Sequence, residues 1–245
     1  MSTRRPAYDC IVIGGGHNGL ACAAYLARSG RSVLVLEAGE RLGGAAVTRE
    51  FAPGFRVSAG AHLLHQMPAR LIEELALERH GLRWAAHSLA TAALAPEGAA
   101  LVFGGAATDG VAGPIERADA EAYDAFMRQM RRFAAVLNPL LEAAPPRLGT
   151  NRWGERLNLM RLGWRIRRLG KRDMRELLRI GGMNVHDLLK EHFNSPHLQG
   201  ALGLDAVLGT NFGPRAPGTV LTLLYRLAAQ HGAGARGLAL PAGGL

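Results

Sequence analysis

Two short apolar runs near the start of the chain, residues 9–13 and 32–36, have no polar interruption once each begins (Cys10-Ile11-Val12-Ile13 and Val33-Leu34-Val35-Leu36). That is the pattern of parallel strands buried on both faces. Between them, residues 20–29 are rich in Ala and Leu and stop at Gly30, which predicts a helix. Residues 47–58 alternate weakly around Pro53-Gly54, which predicts a hairpin. Residues 68–79 read as a helix with Pro68 in its first turn and Leu71, Ile72, Leu75 and Ala76 on one face, ended by Gly81. Two strand-like runs, 82–85 and 100–103, are expected to form an antiparallel pair, with Pro96-Glu97-Gly98 as a turn and 104–113 as a glycine-rich loop.

From Asp119 onward the apolar period lengthens to that of helices. Asp119 is the expected N-cap of a helix over 120–137, with Tyr123, Phe126, Met127, Met130, Phe133 and Ala134 as its stripe. Pro145-Pro146 marks a break. Asn184 is expected to cap 185–193 and Ser195-Pro196 to open 197–207, and 219–230 returns to helix after a loop at 211–218. The fold class is therefore α/β: an N-terminal Rossmann-like βαβ unit with hairpin over 1–65, an inserted, mostly helical region over 66–237, and a glycine-rich end at 238–245. There is no internal repeat.

Composition adds bounds. The chain has 245 residues, 48% of them hydrophobic, enough for one large or two smaller cores. Its two cysteines, Cys10 and Cys22, form no C-x-x-C pair, which excludes a disulfide framework and points to a reducing, cytoplasmic setting. Arg4-Arg5 precede an apolar run too short for a secretory signal, and no stretch reaches the roughly 20 apolar residues of a membrane span. A net charge of +9 is concentrated in residues 152–180, which hold ten Lys or Arg against three Asp or Glu. In that segment Trp153, Leu157, Met160 and Trp164 recur at helical spacing beside Leu159, Leu162, Ile166 and Leu169. A core helix with solvated charges and a helix lying on an anionic membrane surface are both consistent with this pattern. Nucleic acid is disfavoured, since no recognised module accompanies the charge.

The chemistry sits where the first strand meets the first helix, at Gly14-Gly15-Gly16-His17-Asn18-Gly19. Gly14 suits the tight turn out of the strand, Gly16 admits a pyrophosphate to the backbone, and Gly19 lets helix and sheet pack closely. Glu37, at the tip of the second strand, stands where an acid accepts hydrogen bonds from a ribose diol. Together these predict dinucleotide binding at the positive end of the helix. Ala38, Arg41 and the pair Gly43-Gly44 with Ala45 follow, as a second close-approach loop. His62 and His65 lie three apart; packing, lining of a cofactor or substrate cavity, and metal binding stay open for them. No Cys, Asp or Glu nearby completes a metal site. No Ser-His-Asp or Cys-His constellation stands out, and no catalytic residue is named.

The sequence resembles the FAD-dependent family of amine oxidases and phytoene desaturases, in its phytoene-desaturase-like branch. The resemblance rests on Gly16-His17-Asn18-Gly19-Leu20, on Glu37 followed by Arg41 and Gly43-Gly44-Ala45-Ala46-Val47-Thr48, and on Pro53-Gly54-Phe55. It resumes more loosely at Gly213-Pro214, Pro217-Gly218 and Gly243-Gly244. The resemblance implies FAD as cofactor, held by Gly14, Gly15, Gly16, Gly19, Glu37, Ala38, Arg41, Gly43, Gly44 and Ala45. It implies hydride transfer to the flavin from an apolar, lipid-like or isoprenoid small molecule. In that family the Gly-Gly near 243–244 leads back to the nucleotide-binding sheet, so the chain is expected to be an N-terminal fragment. A complementing C-terminal segment or an oligomer partner is expected with it. An inert or merely nucleotide-binding fragment is the alternative function.

Overall fold

The computed structural model describes residues 7–245 apart from 59, 62, 65, 97, 105–109, 142, 144–146, 148, 150 and 233–237. His62, His65 and the Pro145-Pro146 break therefore lie outside the described residues. The chain divides into two compact units, Met1–His87 with Leu238–Leu245, and Ser88–Gly237. Residues 66–87 thus belong to the first unit rather than to the inserted region.

The first unit opens with β1 (Cys10–Ile13), α1 (His17–Arg28) and β2 (Val33–Leu36). The strands pair in parallel, Cys10 with Val33 through Ile13 with Leu36, and α1 packs against both. The helix starts at His17, three residues before the predicted start, because Gly16 already takes the N-cap position. It ends as its glycine requires: Gly30, at φ +84°, donates to Ala27 while Arg31 donates to Leu26. The expectation of strands buried on both faces is corrected. Ile11 is 59% and Ile13 87% exposed, and Leu36 is also exposed, since α1 covers only the opposite face of this two-stranded sheet.

β3 (Thr48–Ala52) and β4 (Phe55–Ser58) form the predicted hairpin around Pro53-Gly54. The helix expected over 68–79 is shorter: α2 spans Ala69–Glu74 with Pro68 as its N-cap. Ala76 takes a left-handed φ of +48°, which breaks the helical path. β5 (Trp84–Leu89) pairs with the last strand, Leu238–Pro241, and not with the 100–103 run. The return segment is further fastened by Leu64 and Ala239, which exchange N–H···O bonds of 2.9 Å, by Ala242 N–H to Arg83 O, and by Thr48 N–H to Leu245 O.

In the second unit β6 (Thr91–Ala93), β7 (Leu101–Phe103) and β8 (Val111–Ala112) make a small antiparallel sheet. The 101–103 strand thus finds its partners locally. Among the described residues the helices that follow are α3 (Arg117–Leu141), α4 (Trp153–Arg168), α5 (Lys171–Ile180), α6 (Val185–His192), α7 (Pro196–Val207) and α8 (Thr219–Gly232); the final strand, β9 (Leu238–Pro241), belongs to the first unit. α3 lies along α8, and Phe126, Met130, Phe133, Leu188, Leu198 and Leu224 are in the core they share with α6 and α7. Asn184 and Ser195 cap α6 and α7 as predicted, accepting from Asp187 N–H at 2.8 Å and Leu198 N–H at 3.3 Å.

Asp119 does not cap α3. It lies inside the first turn, 2% exposed, and its two carboxylate oxygens accept the N–H groups of Asn194 and Ser195 at 2.9 and 2.7 Å. The acid therefore ties the start of α3 to the start of α7. The reading of 152–180 as one segment is also refined, because Gly170 at φ +88° separates α4 from α5.

Candidate dinucleotide-binding site

The end of β1, the start of α1 and the end of β2 converge on one turn. Gly14 leaves β1 at φ +100°, a conformation that residues with a Cβ rarely adopt, and its N–H donates to Leu36 O at 2.7 Å. Gly15 is buried and donates to Glu37 Oε2 at 2.6 Å. Glu37 Oε1 accepts from Gly39 N–H at 2.9 Å. These contacts hold the Glu37 carboxyl below the usual carboxylate range, the Gly39 N–H contributing most and the Gly15 N–H next. Each carboxylate oxygen keeps a further lone pair for a ligand hydroxyl.

Gly19 fits for steric reasons. A Cβ there would run into the carbonyl oxygen of Gly14, so only glycine lets α1 approach the turn this closely. At Gly15 a Cβ would collide with the Leu42 side chain. Leu42, absent from the sequence-predicted set, is thus the residue that covers the turn. No local pattern marks it beyond its place before the Gly pair.

The second glycine loop closes against the first. Gly43 N–H donates to Gly15 O at 2.8 Å, and Gly16 and Gly43 form a parallel bridge. A Cβ on Gly44 would stand 3.1 Å from Gly16 Cα. Ala45 O accepts from Ala61 N–H at 2.9 Å, and a Cβ on Gly60 would lie 2.7 Å from that same oxygen. Gly60 thus lets its segment approach the Ala45 carbonyl closely. Ala38 and Arg41 are exposed beyond Glu37. Thr48, just after this loop, donates its hydroxyl to Leu245 O at 2.9 Å, and a Cβ on Gly244 would collide with it.

Electrostatically the turn suits an anion. No side chain caps α1, and no acid lies in its first turn. The N-terminal N–H groups and the positive end of the helix dipole are thus free of a charged competitor of their own. Two glycine backbones without Cβ atoms, a helix N-terminus and one acid at the tip of β2 fit the pyrophosphate and ribose of a dinucleotide. Among the described residues, no group of three or more His, Cys, Asp or Glu could hold a metal ion. No described helix is long and apolar enough to cross a membrane.

Comparison with known proteins agrees with this geometry. Residues 12–76 match the NAD(P)-binding Rossmann-like domain family. The chain is 31% identical over 238 residues to pyridine nucleotide-disulfide oxidoreductase domain-containing protein 2 of Rattus norvegicus, an alignment covering 91% of this chain and 41% of that protein. It is 49% identical over 84 residues to (S)-6-hydroxynicotine oxidase of Paenarthrobacter nicotinovorans, covering 33% of this chain and 19% of that one. Among solved structures, cyclohexylamine oxidase from Brevibacterium oxydans shares the fold at a TM-score of 0.55 and 20% identity, over 96% of this chain and 46% of that chain. The chain thus spans less than half the length of the curated relatives it matches.

Proposed function

We propose that this chain is the dinucleotide-binding portion of an FAD-dependent oxidoreductase, and that FAD is the nucleotide its two glycine loops receive. The observation that carries the reading is the closure of Gly43-Gly44 onto Gly15-Gly16 beside Glu37. A nicotinamide dinucleotide has no general need of a second close-approach loop past the acid, whereas the extended FAD runs along it. Related oxidoreductases, including the hydroxynicotine oxidase, support the same class.

FAD, when bound, supplies a two-electron hydride acceptor. The residues of this chain bind and orient. The Gly14–Gly16 turn and the N-terminus of α1 receive the pyrophosphate. Glu37, already anchored by Gly15 and Gly39, accepts from the ribose diol and repels a 2′-phosphate. The substrate class that the family resemblance supports is apolar, lipid-like or isoprenoid, oxidised at a C–H or C–N position.

Calorimetric titration of the chain with FAD, NAD and NADP tests the cofactor. FAD is expected to bind most tightly, and tighter binding of either nicotinamide nucleotide overturns the assignment. Substrate-dependent bleaching of the bound flavin separates turnover from binding alone.

A further inference from the structure

The basic segment resolves into two helices with different surroundings. α5 is fastened into its unit: Leu177 and Ile180 are buried, Arg179 donates to Glu176 and Glu191 at 2.7–3.0 Å, and Arg132 meets Asp173 at 2.8 Å. α4 buries no residue fully. At about 100° per residue, Glu155, Leu159, Leu162, Ile166 and Leu169 fall on one side and are half-buried, and Ile166 and Leu169 pack against the helical core. The opposite side carries Trp153, Leu157, Met160 and Trp164, exposed by 81%, 45%, 70% and 58%.

Arginines border that outward stripe on both flanks, Arg156 and Arg167 along one edge, Arg161 and Arg168 along the other. Arg156 lies over the Trp153 ring at 5.7 Å from its centroid, and Arg168 over Trp164 at 4.6 Å. The single acid of the helix, Glu155, is on the inner side. The outer half is therefore apolar along its middle, cationic along its margins and free of negative charge.

We propose that the outward face of α4 seats in the surface of an anionic lipid bilayer, with Trp153, Leu157, Met160 and Trp164 at the boundary of headgroups and acyl chains and the flanking arginines on lipid phosphates. Charge complementarity selects this occupant. A second copy of the chain would bring its own +9 against the same arginines. Nucleic acid would satisfy the arginines and leave the four apolar side chains between them without a match. A bilayer surface of negative charge meets both features at one depth, the arrangement of an interfacial amphipathic helix. The proposal is independent of the dinucleotide site.

Sedimentation of the chain with phosphatidylcholine vesicles, and with vesicles of equal parts phosphatidylcholine and phosphatidylglycerol, tests it. Binding is expected to the anionic vesicles and to weaken with salt, because the screening length at physiological ionic strength is about 8 Å. In a Trp84→Phe background only Trp153 and Trp164 report fluorescence. Their emission is expected to shift to the blue and to be quenched by brominated acyl chains. The double variant Trp153→Ser, Trp164→Ser should lower the partition by about tenfold or more. Arg156→Gln with Arg161→Gln and Arg168→Gln should remove the anionic preference. All five side chains are exposed, so circular dichroism should stay unchanged. Equal pelleting with both vesicle types, or Trp emission indifferent to lipid, overturns the proposal. So does a dimer, or a complex with duplex DNA, that forms through this face in place of vesicle binding.

Discussion

Oε2 of Glu37 accepts the main-chain N–H of Gly15 at 2.6 Å, so the acid at the tip of β2 is bonded to the turn that leaves β1. The residue expected to face a ribose is also a brace between the two strands of the site. One side chain thus serves loop geometry and ligand recognition together, and the two roles separate experimentally.

Replacing Glu37 with Ala removes the acceptor of Gly15 and Gly39 along with the ribose contact. Dinucleotide affinity should fall by roughly tenfold to a hundredfold, the range of a lost hydrogen bond to a charged group. Calorimetry with FAD reads the loss. Glu37→Gln, which retains an acceptor oxygen, should fall between wild type and Ala.

The same contacts set a pH dependence. The Gly39 and Gly15 N–H groups favour the ionised form of Glu37, so its folded pKa is depressed. The stability it contributes is complete above the unfolded carboxylate value of about 4.3 and is lost as pH falls through the lower folded value. Carboxyl NMR titration should show Glu37 titrating below the ordinary glutamate value of about 4.3. In Glu37→Gln the acid limb of FAD affinity against pH should flatten.

Gly19→Ala tests the close approach of α1 to the turn. Alanine is the better helix former, yet its Cβ meets the Gly14 carbonyl, and the overlap should dominate. Urea denaturation should show a loss of about 1–3 kcal/mol, accompanied by loss of FAD binding. Gly163→Ala in α4, where a Cβ meets open space, is the matched control: it should leave FAD binding unchanged and raise stability by about 0.5–1 kcal/mol.

Asp119→Ala should destabilise the helical unit without touching the nucleotide site. The substitution leaves the N–H groups of Asn194 and Ser195 without their acceptor in a part-buried setting. A cost of about 2–4 kcal/mol is expected in chemical denaturation. Asp119→Asn, which keeps one acceptor oxygen, should cost less.

The candidate site was legible because its chemistry is local. A strand that runs into Gly14, a glycine run that leads into a helix and an acid that ends the next strand are each written within a few residues of where they act. The hairpin at Pro53-Gly54 and the caps at Asn184 and Ser195 are legible for the same reason. Leu42, which covers Gly15, was not, because an apolar residue in a loop carries no mark of what it will cover.

Asp119 shows where such reading stops. An acid before a helical stripe is a good cap by local rules, but its two acceptors are taken by N–H groups 75 and 76 residues away. The strand at Trp84–Leu89 likewise has no local sign that its partner is Leu238–Pro241 rather than the nearby 101–103 run. α4 carries two apolar rows, and nothing in its period says which turns inward.

By itself, then, the sequence determined the strand–turn–helix–strand unit, the glycine and acid positions, and the starts of α2, α6, α7 and α8, because φ preferences, caps and turn residues act over one to four neighbours. The tertiary structure alone decided which apolar faces are covered. It half-buries Leu159, Leu162 and Ile166 while exposing Trp153 and Trp164, and it leaves Ile11 and Ile13 uncovered on β1. That choice depends on how much apolar surface the distant elements can reach and exclude from water, a quantity that no window of the chain contains.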